Sequence, residues 1–309
     1  MSYESKILQQ LKMPSRKQVE QVLLRVLLKH GGVIKEFGSG QDVVDEIANE
    51  FKLDEIQRTA YLKTIYHEEN RIKKAYVWHR LLFRAADSLS KEKYVSRPTL
   101  TYQLTNKKEW MLTESGLDEA LKLSNIPPQK KAILPIKSFE VQKIVNRIKE
   151  LPRPDNYEPF DKEKKSIKVT RETILRTRGF RQAVIEAYCY RCAVCGMKLN
   201  TPDSLSWEVE AAHIVPHSAQ GRDDLLNGLA LCHMHHWAFD VGWYTLQNDY
   251  TIKISPKVHS LPPDFGMFGE YSFLRELLNK CIKIYLPKRA GLHPHHNAIL
   301  WHQQNVFHK

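Results

Sequence analysis

One segment decides the fold, and it reads CAVC at 192–195, EVEAAHIVPH at 208–217 and NGLALCHMHHWAFD at 227–240. It contains two pairs of metal-ligating residue types at three-residue spacing, Cys192/Cys195 and Cys232/His235. Tetrahedral zinc takes four sulfur and nitrogen ligands of this kind, and two tight turns can supply them without strain. Gly196 directly after the first pair favours such a turn. We therefore predict a structural zinc site that ties the two ends of the segment together.

Other ligand sets stay open at this level. Cys189 lies three positions before Cys192 and could exchange with Cys195, and His236 could replace His235. Buried free cysteines beside a surface histidine are the simpler alternative. We favour Cys192 with Cys195 because glycine follows that pair. Cysteines at chelating spacing also indicate reduced thiolates and a cytoplasmic protein rather than disulfides.

A second set of polar residues lies within the same segment: His213, Asn227, His236 and Asp240. Residues four apart on a helix share one face, so His236 and Asp240 can hold one divalent ion. An imidazole has a pKa near neutrality and suits a base that deprotonates water. A core histidine at 213 and a simple turn residue at 227 are the alternative explanations.

This order of residues resembles the HNH (ββα-metal) endonuclease family over residues 179–246. A histidine ends a strand, an Asn-Gly-Leu turn follows, and a histidine and an acid lie on the next helix. The resemblance implies that His213 is a general base, that Asn227 orients the loop or His213, and that His236 and Asp240 bind a catalytic Mg²⁺ or Mn²⁺.

One position departs from the family pattern. Many members carry Asp or His as a metal ligand directly before the base histidine, where this chain has Ala212. Glu210 lies two residues further back, on the same face as Ala212 in a regular strand. We expect Glu210, or a water molecule, to complete the coordination of the catalytic ion.

The segment RGFRQAVIEAYCYRCAVCG (178–196) resembles the helix that leads into the zinc knuckle in bacterial restriction-type HNH proteins. Arg178 and Arg181 in this segment are expected to contact DNA phosphates. Salt bridges on the helix surface are the alternative.

The composition favours a polyanionic partner. The chain has 309 residues, a net charge of +12 and a pI of about 9.3. Such length indicates about two domains, and Lys and Arg release counterions when they bind phosphates. No stretch reaches the ~20 apolar residues of a membrane span, and the N-terminus lacks the apolar core of a signal peptide. We expect no membrane association.

The N-terminal third predicts helices followed by a hairpin. Helical spacing of apolar residues covers 16–30, 41–51, a segment capped by Asp54, and 68–87. TLTYQL (99–104) and EWMLT (109–113) are strand-like and flank a polar turn. Helices followed by a two-stranded hairpin are the order of a winged helix, and an α+β domain with a solvated charged face is the alternative.

This block resembles the N-terminal winged-helix domain of Mrr-type restriction proteins, through Asn70-Arg71 before an aromatic-rich helix and through Trp110–Gly116. The resemblance implies that helix 68–87 lies in or near a DNA groove and that a wing contacts phosphates. The residues implied are Asn70, Arg71, Lys73 and Lys74 on the helix, and Lys107 and Lys108 on the wing.

These patterns together predict an α+β chain in three parts. Residues 1–125 form a winged helix-turn-helix DNA-binding domain, 126–170 a linker with one helix at 138–151, and 171–309 a zinc-stapled ββα-metal (HNH) nuclease domain. The architecture resembles modification-dependent restriction enzymes of the BisI type. Tyr76, Trp78 and Trp110 are aromatic candidates for a modified-base pocket, and core packing explains them equally well.

The predicted function is that of a prokaryotic restriction endonuclease that cuts double-stranded DNA and requires 5-methylcytosine. Three alternatives stay open: an enzyme that cuts a specific unmodified sequence, a non-cleaving DNA-binding regulator, and a structure- or RNA-directed nuclease. We expect a homodimer, since cutting two strands with one site per chain favours two chains.

Overall fold

The computed structural model describes residues 3–37, 42–66, 71–132, 134–161, 171–202, 206–262, 267–268, 271–278 and 282–308. Contacts along the chain divide it into two compact units, Met1–Gln142 and Lys143–Lys309. Each unit combines helices with short antiparallel strands, so the protein is of mixed α/β class. Within these ranges, every helix is too short or too polar to cross a bilayer.

The N-terminal unit is built around helix α2. Its described helices are α1 (Tyr3–Gln10), α2 (Arg16–Lys29), α3 (Asp42–Glu50), α4 (Glu55–Thr59), α5 (Val77–Lys91), α6 (Pro98–Thr105) and α7 (Glu114–Leu123). Its described strands are β1 (Val33–Lys35), β2 (Tyr61–Tyr66), β3 (Arg71–Tyr76), β4 (Val95–Ser96) and β5 (Glu109–Leu112). Helices α3, α5 and α7 pack against α2, whose apolar residues are buried. The antiparallel sheet has the strand order β1-β5-β4, and β2 pairs with β3 in a separate hairpin.

Local sequence signals set the starts of two helices. The Ser15 hydroxyl accepts a hydrogen bond from the Gln18 amide at the start of α2, and the Gln18 side chain accepts one from the Ser15 amide. Asp54 and Gln57 make the same reciprocal pair at α4. These capping boxes satisfy backbone amides that a helix start otherwise leaves without partners. The helices expected at 16–30 and 41–51 and after Asp54 are confirmed.

The helix expected over 68–87 is wrong over residues 71–76. Residues 71–76 form β3, which pairs residue by residue with β2 from Tyr61↔Tyr76 to Tyr66↔Arg71. The helix begins only at Val77, where Trp78 is 1% exposed and its indole N–H donates to the Val44 carbonyl. The partner strand β2 directly precedes β3, and the apolar spacing of 68–87 alone does not show this pairing.

The strand expected at 99–104 is also wrong, because this segment is helix α6. Pro98 occupies the first turn, where its fixed φ fits and no amide hydrogen is needed. Asn106 ends the helix with a φ of 57°. Strand β5 therefore pairs with β1 and β4 instead of with 99–104.

The residues expected to contact DNA in this unit differ in exposure and in whether the structure describes them. Asn70 lies outside the described residues, as do the side chains of Arg71, Lys73 and Lys74, whose backbone belongs to β3. Lys107 and Lys108 are exposed in the connection between α6 and β5. Trp110 and Trp78 are buried, so core packing accounts for both, whereas Tyr76 is 49% exposed.

The C-terminal unit contains a ββα arrangement. The remaining described helices are α8 (Phe139–Glu150), α9 (Arg171–Ala187), α10 (His233–Asp240), α11 (Phe273–Leu278) and α12 (His296–Asn305). The strands are β6 (Val209–His213), β7 (Gly228–Cys232), β8 (Tyr244–Leu246), β9 (Ile252–Ile254), β10 (Met267–Phe268) and β11 (Tyr271–Ser272), paired in sequence as three antiparallel hairpins. Helix α10 follows β7 directly, and α9 packs on β6 and β7. Helix α8 confirms the helix expected at 138–151.

Residues 152–161, here called the strap, lie against the C-terminal unit. The Arg153 guanidinium donates to the Pro294 carbonyl at 3.0 Å. The Tyr157 hydroxyl donates to Asp224 Oδ1 at 2.8 Å, with Tyr157 4% exposed. This part of the expected linker is therefore packed, while the division into three parts stays a prediction.

Candidate active site

The four expected zinc ligands come together at the start of α10. The ligand atoms of Cys192, Cys195, Cys232 and His235 all lie within 4.8 Å of one another. Gly196 adopts a φ of 73°, which the turn after Cys195 requires and which L side chains rarely adopt. Three thiols and one imidazole are a donor set typical of structural zinc, so this Cys₃His cluster could hold the ion.

The alternative zinc ligands, Cys189 and His236, do not join the cluster. Cys189 is exposed and does not belong to the cluster, and His236 contacts Glu210 instead. Burial lowers the pKa of His235, but hydrogen bonds with Cys192 and Cys195 outweigh it and raise that pKa to about 9. A metal ion competes with this proton, so we expect metal affinity to fall as the pH falls.

His213 lies at the end of β6 in a fixed orientation. Its Nε2 atom lies 3.0 Å from Asp223 Oδ1. Its ring stacks on Phe180 of α9, with the ring centroids 4.0 Å apart and the planes 17° apart. The side chain of His213 is 19% exposed. An imidazole held in this way suits proton transfer, and the sequence reasoning missed its Asp223 partner.

Asn227 holds the connection between β6 and β7. Its Oδ1 accepts a hydrogen bond from the Val215 amide at 2.8 Å, and its Nδ2 donates to the Val215 and Arg222 carbonyls, each at 3.0 Å. Gly221 packs directly against Val215 in this loop. A Cβ added at Gly221 would lie 1.8 Å from the Val215 carbonyl oxygen. With every polar atom of its amide group bonded and the residue 0% exposed, Asn227 orients the loop.

His236 lies between two carboxylates. Its Nδ1 is 3.2 Å from Glu210 Oε2, and its Nε2 is 3.4 Å from Asp240 Oδ2. The hydrogen bond with His236 lowers the pKa of Glu210 to about 2, against the effect of burial. Burial raises the pKa of Asp240, while positive charge on His236 and His213 opposes the rise. The three side chains form one chain of contacts from β6 to the end of α10.

The arginines expected on DNA differ in exposure. Arg178 is 3% exposed, so its side chain is not available to a DNA backbone in this structure. Arg181 Nη2 lies 3.8 Å from Glu210 Oε1, which fits the salt-bridge alternative. Arg176 and Arg222, each with a side chain 45% exposed, line a cavity of about 430 Å³ beside Asp223. The sequence reasoning missed this pair.

The comparison with protein families agrees with this geometry. Residues 192–247 match the family model described as HNH endonuclease. This segment is therefore similar to HNH endonuclease domains. HNH nucleases use divalent metals. The match covers the Cys₃His cluster, the β6–β7 hairpin and α10.

The comparison with solved structures gives a weaker similarity over a longer part of the chain. The modification-dependent TagI restriction endonuclease is similar at 21% identity with a TM-score of 0.28, over 41% of this chain and 37% of that enzyme's chain. The chain thus covers well under two thirds of that enzyme. No curated protein matches the sequence.

Proposed function

We propose that the protein is a restriction endonuclease that hydrolyses phosphodiester bonds of double-stranded DNA with its HNH domain. One observation carries this proposal: β6 ends at His213 and also contains Glu210, whose Oε2 lies 3.2 Å from Nδ1 of His236 on α10, so the candidate base and the candidate metal ligands belong to one ββα arrangement. A core histidine would not need the carboxylate that lies 3.0 Å from His213 Nε2.

In the proposed reaction, His213 accepts a proton from a water molecule. The water oxygen forms a bond to phosphorus as the bond to the 3′ oxygen breaks, and the leaving oxygen takes a proton from solvent. His236 and Asp240 offer one imidazole nitrogen and one carboxylate, which fits Mg²⁺ or Mn²⁺. Such an ion neutralises charge on the phosphate and on the leaving oxygen.

Glu210 is the expected third ligand of this ion, and its contact with His236 Nδ1 supports a role beside the metal. Metal-binding histidines commonly donate their second nitrogen to a carboxylate, which fixes the tautomer and the ring orientation. While Glu210 engages Nδ1, Nε2 is the nitrogen that remains for the ion.

We further propose that the N-terminal unit is a winged-helix DNA-binding domain. The strand order β1-β5-β4, with α2, α5 and α7 packed together, supports this proposal. The exposed Lys107 and Lys108 lie in the connection between α6 and β5 rather than between two strands, and their charge suits phosphate contacts. The structure differs from the expected topology in two ways. Helix α6 lies between β4 and β5, and the β2–β3 hairpin precedes α5.

Two finer properties belong to the same proposal. We propose that cleavage requires 5-methylcytosine, and that two copies act together because one centre cuts one strand. The basic net charge of +12 supports DNA as the partner. A protein that acts on DNA in a prokaryotic cell works in the cytoplasm.

Cleavage of one plasmid in two forms tests the proposal. Unmethylated and cytosine-methylated plasmid are incubated with the protein and Mg²⁺ or Mn²⁺, beside His213→Ala and the control His259→Ala, which changes an exposed histidine. We expect cleavage of methylated DNA alone, lost in His213→Ala and kept in His259→Ala. Equal cleavage of both plasmids contradicts the methylation requirement. DNA binding without cleavage of either plasmid contradicts the nuclease.

A further inference from the structure

We infer that Asp223 is a positioning residue for His213 and selects which ring nitrogen acts as the base. This inference rests on the proposed nuclease function. Asp223 Oδ1 lies 3.0 Å from Nε2 of His213. An ionised carboxylate only accepts hydrogen bonds, so it holds the proton of neutral His213 on Nε2. The unprotonated Nδ1 is then the atom that accepts the proton from water.

The surroundings of His213 restrict its other motions. Phe180 covers one ring face at a centroid distance of 4.0 Å, so the ring keeps one plane. The backbone of His213 is paired with Gly228 in the β6–β7 hairpin. With plane and backbone fixed, a ring flip about the Cβ–Cγ bond, which would put Cε1 in place of Nε2, is the main remaining freedom, and the Asp223 contact opposes it.

Asp223 is itself held in place. Its side chain is 11% exposed, and Arg176 Nη2 lies 3.7 Å from its Oδ2. The next residue, Asp224, accepts hydrogen bonds from the Tyr157 hydroxyl and the Asn227 amide. The loop that carries Asp223 is therefore fixed from the strap side and from the Asn227 side.

This arrangement also stabilises the charge that develops on His213. When Nδ1 takes the proton from water, the ring becomes an imidazolium beside a carboxylate, and the pair forms a charge-assisted hydrogen bond. The proton stays on His213 while the phosphorus–oxygen bond to the leaving group breaks. Asp223 remains ionised throughout, as in other carboxylate–histidine pairs.

A merely structural ion pair would give the same distances, so the test needs a readout specific to the ring. Asp223→Asn keeps the shape of the side chain and removes its charge. Asp161→Asn is the matched control, because Asp161 contacts the same Arg176 at 3.1 Å and lines the same cavity. Long-range ¹H–¹⁵N NMR of histidine-labelled full-length protein reports the tautomer of neutral His213, assigned by comparison with His213→Gln.

We expect His213 in the wild type to carry its proton on Nε2, and Asp223→Asn to shift the proton toward Nδ1. Single-turnover DNA cleavage by Asp223→Asn should slow by about 10²- to 10⁴-fold, with the DNA Kd changed less than about threefold. Asp161→Asn should change neither property.

An unchanged tautomer in Asp223→Asn overturns the inference, whether or not the rate falls. A shifted tautomer with an unchanged cleavage rate overturns it as well, because the contact then does not serve the base. If the wild type cuts no DNA, the proposed function fails, and the tautomer still decides whether Asp223 positions His213.

Discussion

Replacement of Asn227 by alanine should lower the free energy of unfolding of the C-terminal unit, because its side chain bonds the loop and does not itself react. Asn227 is 0% exposed and makes three side-chain hydrogen bonds, one with the Val215 amide and two with carbonyls. A buried hydrogen bond contributes about 1 kcal/mol net, and a buried amide left without a partner costs about 1–3 kcal/mol. Three such bonds and one amide left without a partner predict a loss of about 4–6 kcal/mol, against a typical total of roughly 5–15 kcal/mol.

Hydrogen exchange of the full chain is the suitable assay, because two units need not unfold together. The Val215 amide donates to Asn227 Oδ1 and should lose protection in Asn227→Ala. Asn248→Ala is the control, since Asn248 is exposed and should change stability by less than about 0.5 kcal/mol. A loss below about 1 kcal/mol with the Val215 amide still protected would refute this reasoning.

Three further predictions concern metals and pH. Cys195→Ser should lose the zinc that elemental analysis finds in the wild type and lower the Tm; equal zinc content would contradict the ligand set. Glu210→Gln should weaken Mn²⁺ binding in calorimetry by about 10- to 100-fold, and unchanged affinity would exclude both ligand and positioning roles. Burial holds the pKa of His302 at about 4, although a hydrogen bond to the Phe239 carbonyl raises it. Since the unfolded chain has a histidine pKa of about 6.5, stability should fall by about 3 kcal/mol between pH 6.5 and 4, and His302→Gln should flatten this fall in urea unfolding.

The zinc cluster and the ββα order were predictable because their signals are local. All four residues of the Cys₃His cluster and His236 lie in or directly before a short turn or a helix start, and their spacing alone constrains the chemistry. His213 was identifiable because it ends a strand in a segment with a known pattern. Asp223 was not, because its contact with His213 depends on how the loop between β6 and β7 folds back.

The errors in the N-terminal unit have a similar origin. Alternating apolar residues at 99–104 favoured a strand, but Pro98 and Asn106 bound a helix there. The apolar periodicity of 68–87 fitted a helix, yet residues 71–76 pair with Tyr61–Tyr66. Strand pairing with a neighbouring segment outweighs the apolar periodicity of 68–87, and periodicity alone does not show which segments will pair.

The strap determines how much of the chain must stay together when this domain is joined to a different N-terminal unit. The family match covers 192–247, yet the loop that carries the partner of His213 is bonded to Tyr157, well upstream of that range. A recombination event that joined a different DNA-recognition unit directly to the matched segment would leave the strap behind. A hybrid that joins another N-terminal unit to this segment should therefore keep the contacts of Arg153 and Tyr157 only when the junction falls before Pro152.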